Sequence, residues 1–118
     1  MNEKGYSRID RVSAAIVKIL AVPISDMARE SGAGMATINR VVVSPDLRRA
    51  TITISLYAGD EAKAPFKEHL EQQGYLLQKQ LAGHLKSKRT PVIDFEIDEE
   101  AEAIDRIGRL LSDDEIIN

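Results

Sequence analysis

The sequence predicts an α+β domain in which a three-stranded sheet is covered by helices on one face, and three observations predict it. Residues 35–57 contain two β-rich runs joined by the breaker Ser44-Pro45-Asp46. Apolar residues recur at helical spacing both before and after that stretch. A later run alternates Ile93, Phe95 and Ile97 with Asp94, Glu96 and Asp98. A hairpin with one apolar face is unstable by itself, so the flanking segments are read as what covers it. The expected order is α-β-β-α-α-β, followed by a short C-terminal helix.

Ser7 suits an N-cap, with Asp10 in a capping-box position three residues on. Ile9, Val12, Ile16, Ile19 and Leu20 then form one helical stripe, with Arg8, Arg11 and Lys18 on the opposite face. Pro23 is expected to stop this helix near Ala21, because it lacks an N–H and crowds the preceding turn. Residues 24–34, with Gly32 and Gly34, read as a loop into the first strand.

The first β run, 38–43, is nearly continuous in β-branched residues, as expected of a strand buried on more than one side. In the second, Ile52, Ile54 and Leu56 alternate with Thr51, Thr53, Ser55 and Tyr57, which predicts one apolar face and one wet face. After a loop over 58–64, Pro65 fits the first turn of another helix. Phe66, Leu70, Leu77, Leu81 and Leu85 continue at helical spacing. Gly74 interrupts them, so two helices are expected, over 63–72 and 75–87, meeting at Gln73-Gly74. Residues 86–91 form a basic exit loop, and the alternating run after it is a strand with an acidic outer face. Ala101, Ile104, Ile107, Leu110 and Leu111 suggest the closing helix. Residues 7–111 are read as one domain, with flexible termini at 1–6 and 112–118.

The chain has 118 residues, no cysteine and a net charge of −3. Without cysteine there is neither a disulfide framework nor a thiolate metal site, and a reducing compartment is expected. No apolar run is long enough to cross a membrane and no secretory segment opens the chain, so a soluble cytoplasmic protein is expected. No conspicuous apolar surface stripe demands a partner, which favours a monomer. The charge is unevenly spread. Residues 1–93 hold 14 Lys and Arg against 9 Asp and Glu, whereas residues 94–118 hold 2 against 10. A mildly basic body thus carries an acidic end.

No catalytic constellation stands out. His69 and His84 lie on the second and third helices without a ligand set, and strand alternation explains Asp94, Glu96 and Asp98 without a metal. Gly32-Ala33-Gly34 precedes a strand, so it is no phosphate-cradling loop. The basic residues are more informative: Arg8, Arg11 and Lys18 on the first helix, Arg48 and Arg49 after the hairpin turn, and Lys79, Lys86, Lys88 and Arg89 along the third helix and its exit. They read either as ordinary solvated charges or as a phosphate-tracking surface beside the helix–Gly–helix turn. Tyr75 sits at the kink, but Tyr6, Tyr57, Phe66 and Phe95 form no stacking platform.

Thr37-Ile38-Asn39-Arg40-Val41 leading into Val43-Ser44-Pro45-Asp46-Leu47-Arg48-Arg49-Ala50 resembles the hairpin signature of the ribosome-binding factor A family. Arg8-Ile9-Asp10-Arg11-Val12 resembles its first helix, the run from Arg89-Thr90-Pro91 to Asp98 its third strand, and residues 104–111 its closing helix. The resemblance spans residues 7–111 in order. It implies a type II KH-like domain that binds the free small ribosomal subunit and its rRNA, alongside other assembly factors. It further implies help in processing the rRNA 5′ end, in late assembly and in growth in the cold. It implies neither enzymatic activity nor a cofactor. Ordinary KH domains clamp a single strand with a GXXG loop; this family has an Ala-x-Gly kink there, which appears here as Gln72-Gln73-Gly74 or, shifted by one, Gln73-Gly74-Tyr75. The Arg usual after the kink is matched by Gln78. The rRNA-binding residues expected on this reading are Arg8, Arg11, Arg48, Arg49, Gln73, Gly74, Lys79, Lys86, Lys88 and Arg89. The alternative is a protein-interaction module that uses the acidic strand face and tail without touching RNA. A small enzyme is disfavoured, since no acid, base or nucleophile can be paired.

Overall fold

The structure is a computed structural model that describes residues 7–57 and 60–98. Helix α1 (Arg8–Glu30) begins at the expected capping box. The Ser7 hydroxyl oxygen accepts from the Asp10 backbone N–H at 3.1 Å, and the Asp10 carboxylate accepts from the Ser7 N–H at 3.4 Å. The helix does not stop near Ala21: Pro23 lies inside it, and residues 24–30, expected as loop, form its last two turns. Ile16, Leu20, Ile24 and Ala28 recur every fourth residue and are all fully buried. Burying a side chain of the size of Ile24 is worth about 1.5–3 kcal/mol, comparable with the roughly 3 kcal/mol that an interior proline costs. The stripe that continues past Pro23 therefore carries the helix through it. The stop comes at Gly32, whose φ of +82° a side chain would strain, while the Ala33 N–H closes back on the Ala28 carbonyl at 2.8 Å.

Strand β1 (Met35–Val43) pairs antiparallel with β2 (Arg49–Tyr57), as the hairpin reading expects. Strand β3 (Val92–Ile97) adds parallel to β2, so the sheet order is β1-β2-β3 and β2 is central. This reverses two expectations. β1 is an edge strand, and Val42 is 54 % exposed. The wet face of β2 is not wet either: Thr53 is 3 % and Ser55 5 % exposed. Thr53 lies between Arg40 on one neighbour and Glu96 on the other, so a small side chain is shaded by longer ones. An extra residue, Asn39, sits between the pairs Ile38–Ile54 and Arg40–Thr53. This bulge shifts the phase of β1, so that Ala36, Ile38, Val41 and Val43 all share the core face.

After a 3-10 turn (Asp60–Ala62), helices α2 (Lys63–Gln72) and α3 (Gly74–His84) meet at Gln73, as expected. α3 ends three residues before the expected 87, because Leu85 is already extended (φ −81°, ψ 121°). α1 packs on β1 and α3, and α2 packs on β3. One core joins Ile16, Leu20, Ile24, Ile52, Ile54, Phe66, Leu70, Leu81 and Phe95 on that side of the sheet. On the other face Met35, Val42, Tyr57 and Val92 remain exposed. The closing helix expected over 101–111 lies outside the described residues, as do residues 1–6 and 112–118. Among the described residues no helix is long and apolar enough to cross a membrane.

Candidate nucleic-acid interface

The hairpin turn sets one end of the molecule. The Leu47 N–H closes on the Ser44 carbonyl at 2.8 Å, and Leu47 then takes a left-handed φ of 61°. A left-handed Leu is rare because its Cβ crowds the backbone. Asp46 organises the turn: its Oδ1 accepts from the Ser44 hydroxyl at 2.7 Å and from the Arg48 N–H at 3.1 Å. The Ser44 hydrogen bond first, and the Arg48 backbone second, hold the Asp46 carboxyl below the usual carboxylate range. The Arg48 carbonyl accepts from the Val92 N–H at 2.8 Å, which ties the turn to the start of β3.

That start is fixed by one side chain. The Gln78 amide donates to the Pro91 carbonyl at 2.7 Å and accepts from the Ile93 N–H at 3.1 Å. Leu85 and Pro91 are buried on either side, so the exposed residues Lys86, Lys88 and Arg89 project from a loop anchored at both ends. The N-terminus of α1, the hairpin turn and this loop meet in a concavity of about 300 Å³ lined by Arg8, Arg11, Val12, Leu47, Lys86, Ser87 and Lys88. Val12 and Leu47 are half-buried against the core, while the four cations are exposed. None of the four has an ion-pair partner among the described residues. Two arginines in the first turns of a helix oppose its positive N-terminal dipole, so helix stability does not account for their place. Four uncompensated charges around an apolar floor are suited to holding an anion.

The other expected residues separate from this cleft. Arg48 lies 3.9 Å from Asp46, and Arg49 makes a 2.8 Å ion pair with Asp94 on the helix-free face of the sheet. Lys79 borders a different groove, between α1 and α3, with Pro23, Met27, Leu76 and His84. Gln73 caps both α2 and α3, and Gly74 begins α3, about 15 Å of helix away from the basic loop. Gly74 lines a groove of about 400 Å³ with Glu71, Tyr75, Gln78, Ile93, Asp94 and Phe95, which among the described residues contains no Lys or Arg. It needs no left-handed φ, and a Cβ there would meet Phe95 at an ordinary 3.6 Å. The acidic strand face is partly compensated, since Asp94 pairs with Arg49 and Asp98 accepts from Asn39. Among the described residues no cluster of His, Cys, Asp or Glu could hold a metal ion. Sequence reading missed the apolar floor, because Val12 looks like ordinary helix stripe and nothing local marks Leu47 as left-handed. Nor did it show what Gln78, which stands where the family usually has Arg, does instead: its amide is used up on the backbone of β3.

The model of the ribosome-binding factor A family matches residues 8–111. The chain belongs to the ribosome-binding factor A family. Among curated ribosome-binding factor A proteins it is 31 % identical to that of Geobacter metallireducens over 108 residues, covering 92 % of each chain. It is 31 % identical to that of Rippkaea orientalis over 107 residues, covering 89 % of this chain and 84 % of the relative. The crystal structure of ribosome-binding factor A from Thermus thermophilus superposes with a TM-score of 0.63 at 18 % identity, covering 75 % of this chain and 93 % of the other. A homology model of the Thermus thermophilus factor, fitted into a cryo-electron microscopy map of its 30S complex, superposes with a TM-score of 0.52 at 16 % identity and covers 70 % of this chain and 90 % of the other. The fold of this ribosome-binding factor is type II KH-like, α-β-β-α-α-β with β3 parallel to the central β2.

Proposed function

We propose that this chain is an assembly factor of the small ribosomal subunit that docks on rRNA through the basic cleft. The observation that carries the reading is the convergence of Arg8, Arg11, Lys86 and Lys88, from segments far apart in sequence, around one concavity without a compensating carboxylate among the described residues. The 30S complex of the Thermus thermophilus factor supports the choice of subunit. On this reading residues 7–111 act as one monomeric cytoplasmic domain that assists rRNA 5′-end processing, late assembly and growth in the cold, beside other assembly factors. Arg48 and Arg89 flank the cleft and add phosphate contacts, while Arg49 and Lys79 lie outside it. The test is sedimentation of the full chain with purified free small subunits at low and raised salt. Each neutralised phosphate releases counterions, so co-sedimentation is expected to fall steeply as salt rises. Binding that ignores salt, or that survives charge reversal at Lys86 and Lys88, would remove the cleft from the interface.

A further inference from the structure

Resting on the assignment of the basic cleft to rRNA, we infer that the RNA it takes is double-helical and held by its phosphates, and that the KH-like groove at Gln73-Gly74 holds no RNA strand in this chain. Recognition of single strands relies on stacking of unpaired bases on aromatic rings or Arg planes and on hydrogen bonds to their exposed edges. Among the described residues the basic cleft offers no aromatic ring, and its only planar groups are the guanidinium ends of Arg8 and Arg11. Its floor is the aliphatic pair Val12 and Leu47, and its polar groups are cations and one serine hydroxyl. Cations on two elements, the start of α1 and the loop before β3, face one another across a concavity rather than following a groove, and so match a backbone that keeps its shape when bound. Paired RNA presents such a backbone, with its bases turned inward.

The groove that a single strand would need is unsuited to it. Glu71 and Asp94 line it, and among the described residues Asp94 is offset only by Arg49 and no cation lines the groove. A phosphate passing Gly74 would meet net negative charge. The amide best placed to read a base edge, Gln78, has its donor on Pro91 and its acceptor on Ile93. Among the described residues, Tyr75, 68 % exposed, is the single ring free to stack there.

The experiment measures fluorescence anisotropy of the full chain with a blunt RNA duplex and with each of its strands alone, over a salt series. Duplex is expected to bind at least about tenfold tighter than either strand, and with about four phosphates neutralised its affinity falls roughly 100-fold between 50 and 200 mM salt. The variant Arg11→Glu/Lys88→Glu, whose sites are exposed, should lose most of that binding and most of the salt slope, while Tyr75→Ala leaves both unchanged. Thermal melts confirm that both variants fold. Strands bound as tightly as duplex, with Tyr75→Ala weakening them, would overturn the inference yet leave the assembly-factor reading standing. Co-sedimentation with subunits but no affinity for any of the three RNAs would overturn both the inference and the rRNA-docking role of the cleft.

Discussion

Gln78 shows how a single amide can serve the fold at a position where the family usually carries an Arg. Its two hydrogen bonds, at 2.7 and 3.1 Å, satisfy the carbonyl before β3 and an N–H on its unpaired edge. Gln78→Ala leaves both half-buried groups without a partner, which is expected to cost about 1–3 kcal/mol. A lowered urea midpoint at unchanged slope would show it, whereas an unchanged midpoint would mean that water replaces the amide. Gly74 makes the opposite case: with ordinary φ and 3.6 Å of clearance, Gly74→Ala should hold or raise stability by up to about 1 kcal/mol. Asp46 gives the turn a pH dependence. Its folded pKa is depressed, so its contribution is complete above the ordinary value of 3.8 and is lost as pH falls through the lower folded value. Asp46→Asn should lower the melting temperature slightly at neutral pH, and its difference from the parent chain should vanish as pH falls below the folded value. None of these roles could be read from residue type alone. A Gln is as common in one setting as the other, and only the approach of α3 to β3 decides between them.

At the level of elements, the sequence was legible where periodicity and local chemistry agreed. The capping box at Ser7, the break at Gln73 and the alternation of β3 all appear where their residues place them. Pro23 misled because propensity is local whereas the stripe Ile16, Leu20, Ile24, Ala28 draws its energy from the far side of the core. Pro23→Ala restores a backbone hydrogen bond to a helix that tertiary packing already imposes, and it should raise stability by about 1–3 kcal/mol. A calorimetric scan tests this, and a fall would mean that the proline sets a bend the packing needs. The bulge in β1 supports a sharper expectation. Asn39 is the surplus residue opposite β2, so its deletion leaves Ile38–Ile54 and Val41–Ile52 in register. That deletion should still give a cooperative fold, at the loss of the Asn39–Asp98 bond, whereas deleting Thr37 puts the residues before the gap on the wrong faces. Amide exchange protection across β1 distinguishes the two. A run as uniform as Val41-Val42-Val43 hides such a phase shift, because every one of its residues would be at home on either face.

Over the whole molecule, the separation of charge was visible from the start, but its geometry was not. The cations that gather in the cleft come from residues 8–11 and 86–88 with Leu47 between them, and no window of sequence contains them together. Replacing all four with Ala is expected to leave the melting temperature within a few degrees, since exposed and unpaired charges contribute little to stability. The same change should abolish salt-sensitive association with small subunits, and retained association would move the interface elsewhere. The parallel pairing of β2 with β3 has a consequence in time as well as in space. An antiparallel hairpin closes locally, but β3 can join β2 only after residues 58–91 have crossed over the sheet. The loop bearing Lys86 and Lys88 is anchored by that last pairing, through the contacts of Arg48 with Val92 and of Gln78 with Ile93. A nascent chain that has made only α1 and the hairpin therefore holds the floor of the cleft and half of its charge, but not the wall formed by Lys86, Ser87 and Lys88. On the proposed reading, RNA that binds only the finished surface favours closure of the final strand by mass action, which would make the ribosomal particle a thermodynamic participant in the folding of the protein that docks on it.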